Sequence, residues 1–234
     1  MEPSILLLKM GVPSPELLPL SGDYDAWFAA GFGVDRVRIT SVAAHLGAAI
    51  PSHEGFDAVI ASGSPLSVTE RAPWMQRAGQ YLIEAAQRGK QVLAVCFGHQ
   101  LVAQALGAEV ARNPQGREIG TVRVQSTPQG TRDPLFAGLG AAFSVQATHV
   151  DAVLSLPEEV TLLADNAFGV QAYVFARHLH AVQFHPELDP PRMRDLIESR
   201  RAVLEEEGIL QAARESVQPT PAGRTILANF LKLI

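Results

Sequence analysis

Short apolar runs alternate with longer segments of helical periodicity along the first half of the chain. The run at residues 91–95 is almost wholly apolar, which is typical of a strand covered on both faces. Residues 74–88 carry apolar side chains at helical spacing, and Gly89 follows where a C-terminal cap belongs. Strands that alternate with helices pair in parallel. The predicted strands of this half are residues 4–9, 34–41, 56–61 and 91–95, and the predicted helices are residues 23–30, 74–88 and 100–106.

Beyond Gly107 the pattern changes to strand-like runs that short turns separate. We expect these runs to form a small β-ribbon insertion and then to return to the main sheet. From Pro190 the chain becomes charged and helical, which predicts a C-terminal helical extension. The predicted strands of this half are residues 118–125, 142–147, 160–164, 170–175 and 179–184, and the predicted helices are residues 192–207 and 225–232.

These patterns predict an α/β fold with a doubly wound, mostly parallel central sheet flanked by helices, of the flavodoxin-like kind. No tandem repeat, low-complexity tract or clear linker interrupts the sequence. We therefore predict one domain over residues 1–234, with a core at about 4–189 and the helical extension at about 190–234.

Composition narrows the class of protein further. The 234 residues carry 19 Lys and Arg against 24 Asp and Glu, a net charge of −5, so a basic nucleic-acid footprint is absent. A single cysteine cannot form an internal disulfide framework. The apolar run at residues 5–8 is shorter than a secretory signal needs, and the run at 92–97 is too short to span a bilayer. We expect a cytoplasmic protein with neither nucleic acid nor membrane as a partner.

The only cysteine, Cys96, lies between the apolar strand and a helix that starts directly after it. This is the context of a nucleophile elbow, a sharp turn that lifts a side chain into a cleft and needs small residues two positions before and after. Ala94 and Gly98 supply them. A sulfur at a helix N-terminus also meets the positive end of the dipole, which favours the thiolate. The alternative is that Cys96 is a small hydrophobic residue that fills the core.

A candidate base lies downstream, where an apolar strand ends in His185-Pro186-Glu187. A thiol nucleophile needs a base to take its proton, and the base needs a third group to fix its tautomer. His185 and Glu187 offer that pair, and Pro186 stiffens the backbone between them. Alternatively, His185 is structural, and Glu187 opens the following loop or caps the next helix.

A glycine turn follows the strand at residues 56–61. In a parallel sheet it emerges at the same edge as the cysteine turn. The N–H groups of Gly63 and Phe97 could then form an oxyanion hole. The alternative is an ordinary Gly-Ser-Pro turn.

In this order and spacing, the motifs resemble those of the class I (triad-type) glutamine amidotransferases, and in particular the GMP-synthetase-like stand-alone branch. The resemblance extends from about residue 5 to residue 188. Ser64 and Val150 stand where many members have glycine. The motifs are Cys96-Phe97-Gly98-His99-Gln100, Val182-Gln183-Phe184-His185-Pro186-Glu187, Ser62-Gly63-Ser64-Pro65, Arg117-Glu118-Ile119-Gly120 and Thr148-His149-Val150-Asp151.

The resemblance implies that Cys96 attacks a γ-glutamyl amide, that His185 moves the proton and that Glu187 orients His185. A γ-glutamyl thioester would form and water would release glutamate. No cofactor and no metal are implied. The residues expected to contact the substrate are Gln100, Ser64, Thr148, His149 and Val150.

Three functions remain open. The sequence holds no Walker-type phosphate loop, so an ammonia acceptor site would lie on another polypeptide, or ammonia would simply be released. The chain could be a stand-alone hydrolase of glutamine or another γ-glutamyl compound, or a glutaminase subunit that feeds a separate synthetase. A non-catalytic binding or regulatory module on the same fold is the third alternative.

Several smaller features are interpreted as structural. We expect Arg117 and Glu118 to form a surface ion pair, and Trp74 to anchor a helix start on the core. The alternating His178 and His180 lack a carboxylate nearby in the sequence, so no metal site is predicted there. Arg200, Arg201 and residues 205–207 are expected to form a solvated helix face.

Overall fold

A nine-stranded sheet runs through the computed structural model, which describes residues 2–33 and 36–234. The strands are β1 (Ser4–Lys9), β2 (Arg38–Ala43), β3 (Ala58–Ala61), β4 (Gln91–Val95), β5 (Val110–Arg112), β6 (Glu118–Ser126), β7 (Ala142–His149), β8 (Asp151–Val153), β9 (Thr161–Asn166), β10 (Gly169–Phe175) and β11 (Leu179–Val182). The helices are α1 (Leu18–Ser21), α2 (Tyr24–Phe32), α3 (Pro73–Gln87), α4 (Phe97–Ala105), α5 (Pro190–Ser199), α6 (Arg201–Glu206), α7 (Leu210–Ser216) and α8 (Pro221–Leu233).

The sheet has a parallel half and an antiparallel half. Its order is β2-β1-β3-β4-β11-β10-β9-β6-β7, and the first five strands are parallel. The remaining pairs are antiparallel. The predicted α/β fold with a doubly wound, mostly parallel sheet is confirmed. The later strands extend the main sheet, and β5 and β8 form a separate small ribbon.

Side chains of β1 show how the sheet is buried on both faces. Ile5 and Leu7 belong to one hydrophobic cluster, and Leu6 and Leu8 belong to the other. This division follows from the period of two residues along a strand. All four side chains have no exposed surface, because helices cover each face. The apolar run near the N-terminus is therefore a buried central strand.

The two clusters are completed by different helices. Apolar residues of α3 and α4, such as Met75, Leu82 and Leu101, pack on one face. Those of α2, α5 and α8, such as Phe28 and Ile226, pack on the other. The carboxyl ends of β1, β3, β4 and β11 meet at one edge between these layers, where doubly wound sheets bind ligands.

Some element boundaries differ from the predicted ones. Helix α4 begins at Phe97 and not at residue 100. The predicted helix over residues 192–207 is two helices, because Arg200 between them has φ −109° and ψ 13°. The predicted strand at 34–41 includes residues 34 and 35, which lie outside the described residues, and β2 begins at Arg38. The sequence pattern did not predict β5, β8, α1 and α7.

Within the described ranges, no helix combines the length and apolar character needed to cross a bilayer.

Candidate active site

Cys96 lies at the sharp turn between β4 and α4. Its backbone has φ 51° and ψ −99°, a region that residues other than glycine rarely adopt. The Cys96 N–H donates to the Val182 carbonyl at 2.8 Å. A Cβ on Gly98 would lie 2.8 Å from the Ala61 Cβ and 3.0 Å from its carbonyl oxygen, so the turn packs directly on the end of β3. The strand–turn–helix arrangement that the sequence predicts is therefore held by both neighbouring strands.

His185 follows β11 and forms a buried pair with Glu187. The His185 Nδ1 lies 2.7 Å from the Glu187 Oε1, and both side chains are almost fully excluded from solvent. A carboxylate accepts, so Nδ1 carries the proton of this bond. The His185 Nε2 is buried and has no hydrogen-bond partner among the described residues. Nε2 is thus free to exchange a proton with a bound reactant.

The charges around His185 favour its protonated form. Burial lowers the pKa of His185, but the negative charges of Glu187 and of the Cys96 sulfur raise it. The second effect prevails, and the pKa is raised from 6.5 to about 10. The protonated imidazole is therefore the favoured form of His185 beside Cys96.

Gly63 lies close to both the Cys96 and the His185 side chains. A Cβ added to Gly63 would lie 2.7 Å from the His185 Cε1, 3.6 Å from its Nε2 and 3.7 Å from the Cys96 Cβ. Only a glycine leaves room for all three groups at this point. Among the described residues, no acceptor takes the N–H of Gly63 or of Phe97. Two unpaired donors near the sulfur are what an oxyanion would require.

A cavity of about 360 Å³ opens beside Cys96. The Thr148 carbonyl oxygen lies 3.7 Å from the sulfur. The substrate-contact residues that the sequence predicts all line this cavity; they are Ser64, Gln100, Thr148, His149 and Val150.

The side chains of Gln100 and His149 hold the cavity wall. Gln100 Nε2 donates to the Asp151 carbonyl at 2.8 Å and to Gln183 Oε1 at 3.0 Å. His149 contacts the same carbonyl through Nδ1 at 2.9 Å, and Glu118 Oε2 through Nε2 at 2.8 Å. Both nitrogens of His149 are therefore occupied within the protein, and its side chain fixes the end of β7.

The predicted ion pair between Arg117 and Glu118 is wrong. Arg117 precedes β6, whose first residue is Glu118, and the two side chains bind different partners. Glu118 is buried and accepts from His149 and Gln171. Arg117 pairs with Glu207 instead, at 2.7 and 3.0 Å.

The prediction that Arg200 lies on a solvated helix face is also wrong. Its backbone interrupts the helical periodicity, so its side chain turns inward and donates to the Thr148 hydroxyl. Arg200 lines the cavity of about 360 Å³ and a second one of about 80 Å³, which Ser14, Tyr24, Cys96 and His185 also line. No periodic pattern indicates such a residue. Ser14 could have been inferred, because it follows β1 and so emerges at the same sheet edge as the cysteine turn.

The predictions for Trp74 and His180 concern side chains away from this site. Trp74 stacks on Phe97 with ring centroids 5.8 Å apart, as expected of a helix-start anchor. His180 Nε2 lies 3.1 Å from Asp133 Oδ1, a carboxylate that is distant in the sequence. Within residues 2–33 and 36–234, no group of three or more His, Cys, Asp or Glu side chains could hold a metal ion.

The fold and the site define a doubly wound α/β protein in which a cysteine at a strand-to-helix turn lies close to a carboxylate-paired histidine. The family model "Glutamine amidotransferase class-I" matches residues 25–201. The chain therefore belongs to the class I glutamine amidotransferase family.

The relatives fall into two groups of different length. A GMP synthase (glutamine-hydrolyzing) of Aeropyrum pernix is 39% identical over 144 residues, which cover 61% of this chain and 26% of the relative. The chain thus spans about a quarter of the length of such a relative. Gamma-glutamyl peptidase 3 of Arabidopsis thaliana is 25% identical over 186 residues, which cover 76% of this chain and 75% of the relative.

Solved structures share the fold. A glutamine amidotransferase from Thermotoga maritima superimposes with a TM-score of 0.77 and 20% identity, over 99% of this chain and 97% of that chain. At this identity the likeness concerns the fold alone.

Proposed function

We propose that this protein hydrolyses the γ-glutamyl amide bond of glutamine or of another γ-glutamyl compound, with Cys96 as the nucleophile. The observation that carries the proposal is the meeting of Cys96 and His185 at Gly63, with Glu187 bound to the far side of the imidazole at 2.7 Å. A buried, unpaired Nε2 facing a strained cysteine is costly in a purely structural role.

The reaction proceeds in two balanced steps. The Cys96 thiolate attacks the γ-carbonyl carbon and forms a C–S bond, while the N–H groups of Gly63 and Phe97 donate to the developing oxyanion. The C–N bond then breaks, and His185 gives its Nε2 proton to the leaving amine. In the second step His185 takes a proton from water, the hydroxide attacks the thioester carbon, and the C–S bond breaks to release glutamate. Glu187 holds the imidazole in the tautomer that both transfers need.

The similarity to gamma-glutamyl peptidase 3 over three quarters of both chains favours a hydrolase that acts alone. A second function, as a glutaminase subunit that supplies ammonia to a separate synthetase, is favoured by a different relative. A GMP synthase (glutamine-hydrolyzing) subunit of Methanothermobacter thermautotrophicus is 28% identical over 146 residues, which cover 61% of this chain and 76% of the relative. Turnover by the purified chain separates the two functions, since a subunit would show low activity without its partner.

Release of glutamate from glutamine and from γ-glutamyl amides tests the proposal directly. We expect the purified protein to release it and the Cys96→Ala variant to lose at least about 10³-fold in kcat. A glutamine analogue with a diazoketone in place of the amide should label Cys96, which peptide mass spectrometry would locate. Absence of both turnover and labelling would indicate a non-catalytic module.

A further inference from the structure

A second, smaller cavity adjoins the site on the side of the proposed base. Its volume is about 80 Å³, and its walls include Cys96, His185, Ser14, Tyr24 and Arg200. It adjoins the cavity along Gln100, because both are lined by Ser64, Pro65, Cys96, Thr148 and Arg200, whereas His185 and Ser14 line only the smaller one. A space of this size admits a group of a few heavy atoms and excludes a long chain.

Arg200 gives this cavity a positive charge that no carboxylate of the described residues neutralises. Among the described residues, no Asp or Glu oxygen lies within 4.0 Å of the Arg200 guanidinium. The guanidinium donates a hydrogen bond to the hydroxyl of Thr148, which is neutral. Nearby acids are engaged elsewhere, since Glu198 pairs with Arg214 at 2.6 Å and Glu207 pairs with Arg117 at 2.7 Å. A partly buried guanidinium that is paired with no carboxylate is costly, which indicates that an anion completes the site.

Ser14 supplies an independent sign of a missing ligand. Its hydroxyl oxygen is buried and has no hydrogen-bond partner among the described residues. Its backbone carbonyl is used, because it accepts from Leu17 N at 2.9 Å. Buried hydroxyl groups are normally hydrogen-bonded, and a hydroxyl can donate to an anion. Burial also raises the pKa of Tyr24, so the phenol in the same wall stays neutral.

The position of His185 decides which part of a substrate this cavity receives. Since His185 Nε2 protonates the leaving nitrogen, the leaving group lies on the histidine side of the sulfur. The cavity that His185 lines is on that side. In an α-amino acid the carboxylate is two bonds from the nitrogen, so it falls within the reach of a small cavity.

We propose, on the basis of the proposed hydrolase function, that the preferred substrates are γ-glutamyl amino acids, whose leaving-group carboxylate binds to Arg200 and Ser14. The two residues determine specificity for an anionic leaving group and take no part in bond making. Glutamine, which lacks this carboxylate, would leave the cavity unfilled.

Two matched substrates test the proposal. γ-Glutamylalanine and γ-glutamylethylamide differ in the leaving group only by the carboxylate. We expect wild type to hydrolyse the first with a kcat/KM at least about 10-fold higher, as for a charge-assisted hydrogen bond. Arg200→Gln should remove this preference by lowering kcat/KM for γ-glutamylalanine alone. Ser14→Ala should lower it by about 2- to 10-fold on the same substrate.

Two further variants separate recognition from folding. Arg200→Lys keeps the charge and should retain part of the preference, whereas Arg194→Gln, on the exposed surface of α5, should match wild type on both substrates. Thermal unfolding of each variant shows whether the fold is intact.

Several results would overturn the proposal. Equal hydrolysis of both substrates by wild type would do so, as would an equal loss on both in Arg200→Gln. The second result would place Arg200 on the γ-glutamyl carboxylate or in the fold. Turnover of neither substrate, without diazoketone labelling of Cys96, would remove the proposed function itself.

Discussion

At Cys96 the backbone adopts φ 51°, which costs on the order of 1–3 kcal/mol for a residue with a side chain. Packing of Gly98 against Ala61 and the hydrogen bond to Val182 offset that cost. The positions of the His185 and Glu187 side chains are likewise fixed by their surroundings, because both are buried. Each proposed catalytic group is therefore held in place before any substrate binds, which is the arrangement that efficient catalysis needs.

The charge of Glu187 controls the protonation of His185. Glu187→Gln keeps a side chain of nearly the same shape but removes the charge that raises the histidine pKa. We expect kcat for a γ-glutamyl amide to fall by about 10²- to 10⁴-fold. The alkaline limb of the pH–rate profile should also move to lower pH, because the imidazolium then loses its proton earlier. Rates measured from about pH 5 to about pH 11 check both effects.

Glu206→Gln, on the exposed side of α6, is the control and should leave the profile unchanged. A Glu187→Gln enzyme with wild-type kcat and an unmoved alkaline limb would show that Glu187 is not the orienting group.

At the scale of elements, α2 and α8 support the loop that carries His185 and Glu187. A Cβ on Gly223 of α8 would lie 2.6 Å from the Pro186 carbonyl oxygen, so α8 packs directly on the loop backbone. A Cβ on Gly31 of α2 would lie 2.5 Å from the end of the Leu227 side chain and 3.5 Å from the Glu187 Cα. The C-terminal helix is thus part of the structure that positions the proposed base.

The effects of the same substitution, glycine to alanine, can be compared at Gly223 and Gly31. Both replacements by alanine gain up to about 1 kcal/mol of helix propensity. In Gly223→Ala the new methyl meets backbone that cannot move freely, so we expect a net loss of about 1–3 kcal/mol and a lower kcat. In Gly31→Ala the methyl meets a side-chain end that can rotate, so stability should remain within about 1 kcal/mol of wild type. Urea unfolding and steady-state kinetics measure the two effects.

Gly55→Ala provides a baseline, because nothing lies within 4 Å of its added Cβ. If Gly223→Ala were as stable and as active as Gly31→Ala, the close packing of α8 on Pro186 would have no functional role.

At the scale of the whole molecule, two buried histidines respond to pH in opposite directions. Burial lowers the pKa of His99 to about 3, with a smaller effect of His149 in the same direction, whereas the pKa of His185 is raised to about 10. The ordinary pKa of a histidine is about 6.5. Between about pH 3 and pH 6.5, His99 is protonated in the unfolded chain but not in the native protein, so stability rises with pH. Between about pH 6.5 and pH 10, native His185 keeps a proton that the unfolded chain loses, so stability falls.

We therefore expect the contribution of these two groups to the free energy of unfolding to be greatest near pH 6.5. Urea unfolding at about pH 5, 6.5 and 9 measures it. His99→Gln should flatten the acid limb, and His45→Gln, a partly buried histidine outside the site, should not. An acid limb of wild-type slope in His99→Gln would show that another group is responsible.

The alternation of apolar strands and helices was sufficient to predict the parallel half of the sheet. Continuous apolar runs such as residues 5–8 have one stable location, between two helical layers. The pattern was less informative in the antiparallel half, because it does not specify the partner of each strand. The pairing of β9 with β6 depends on contacts that are distant in the sequence, as does the short ribbon of β5 and β8.

The sequence by itself determined where Cys96, His185, Glu187 and Gly63 lie relative to strand ends, because parallel strands bring their carboxyl ends to one edge. Only the tertiary structure decided what surrounds them. Arg200 enters the site because the helical periodicity breaks at that residue. Glu118 is buried where His149, Asn166 and Gln171, all distant in the sequence, bind its carboxylate. Local patterns encode backbone preference and burial, whereas the meeting of charges from distant segments is fixed by packing alone.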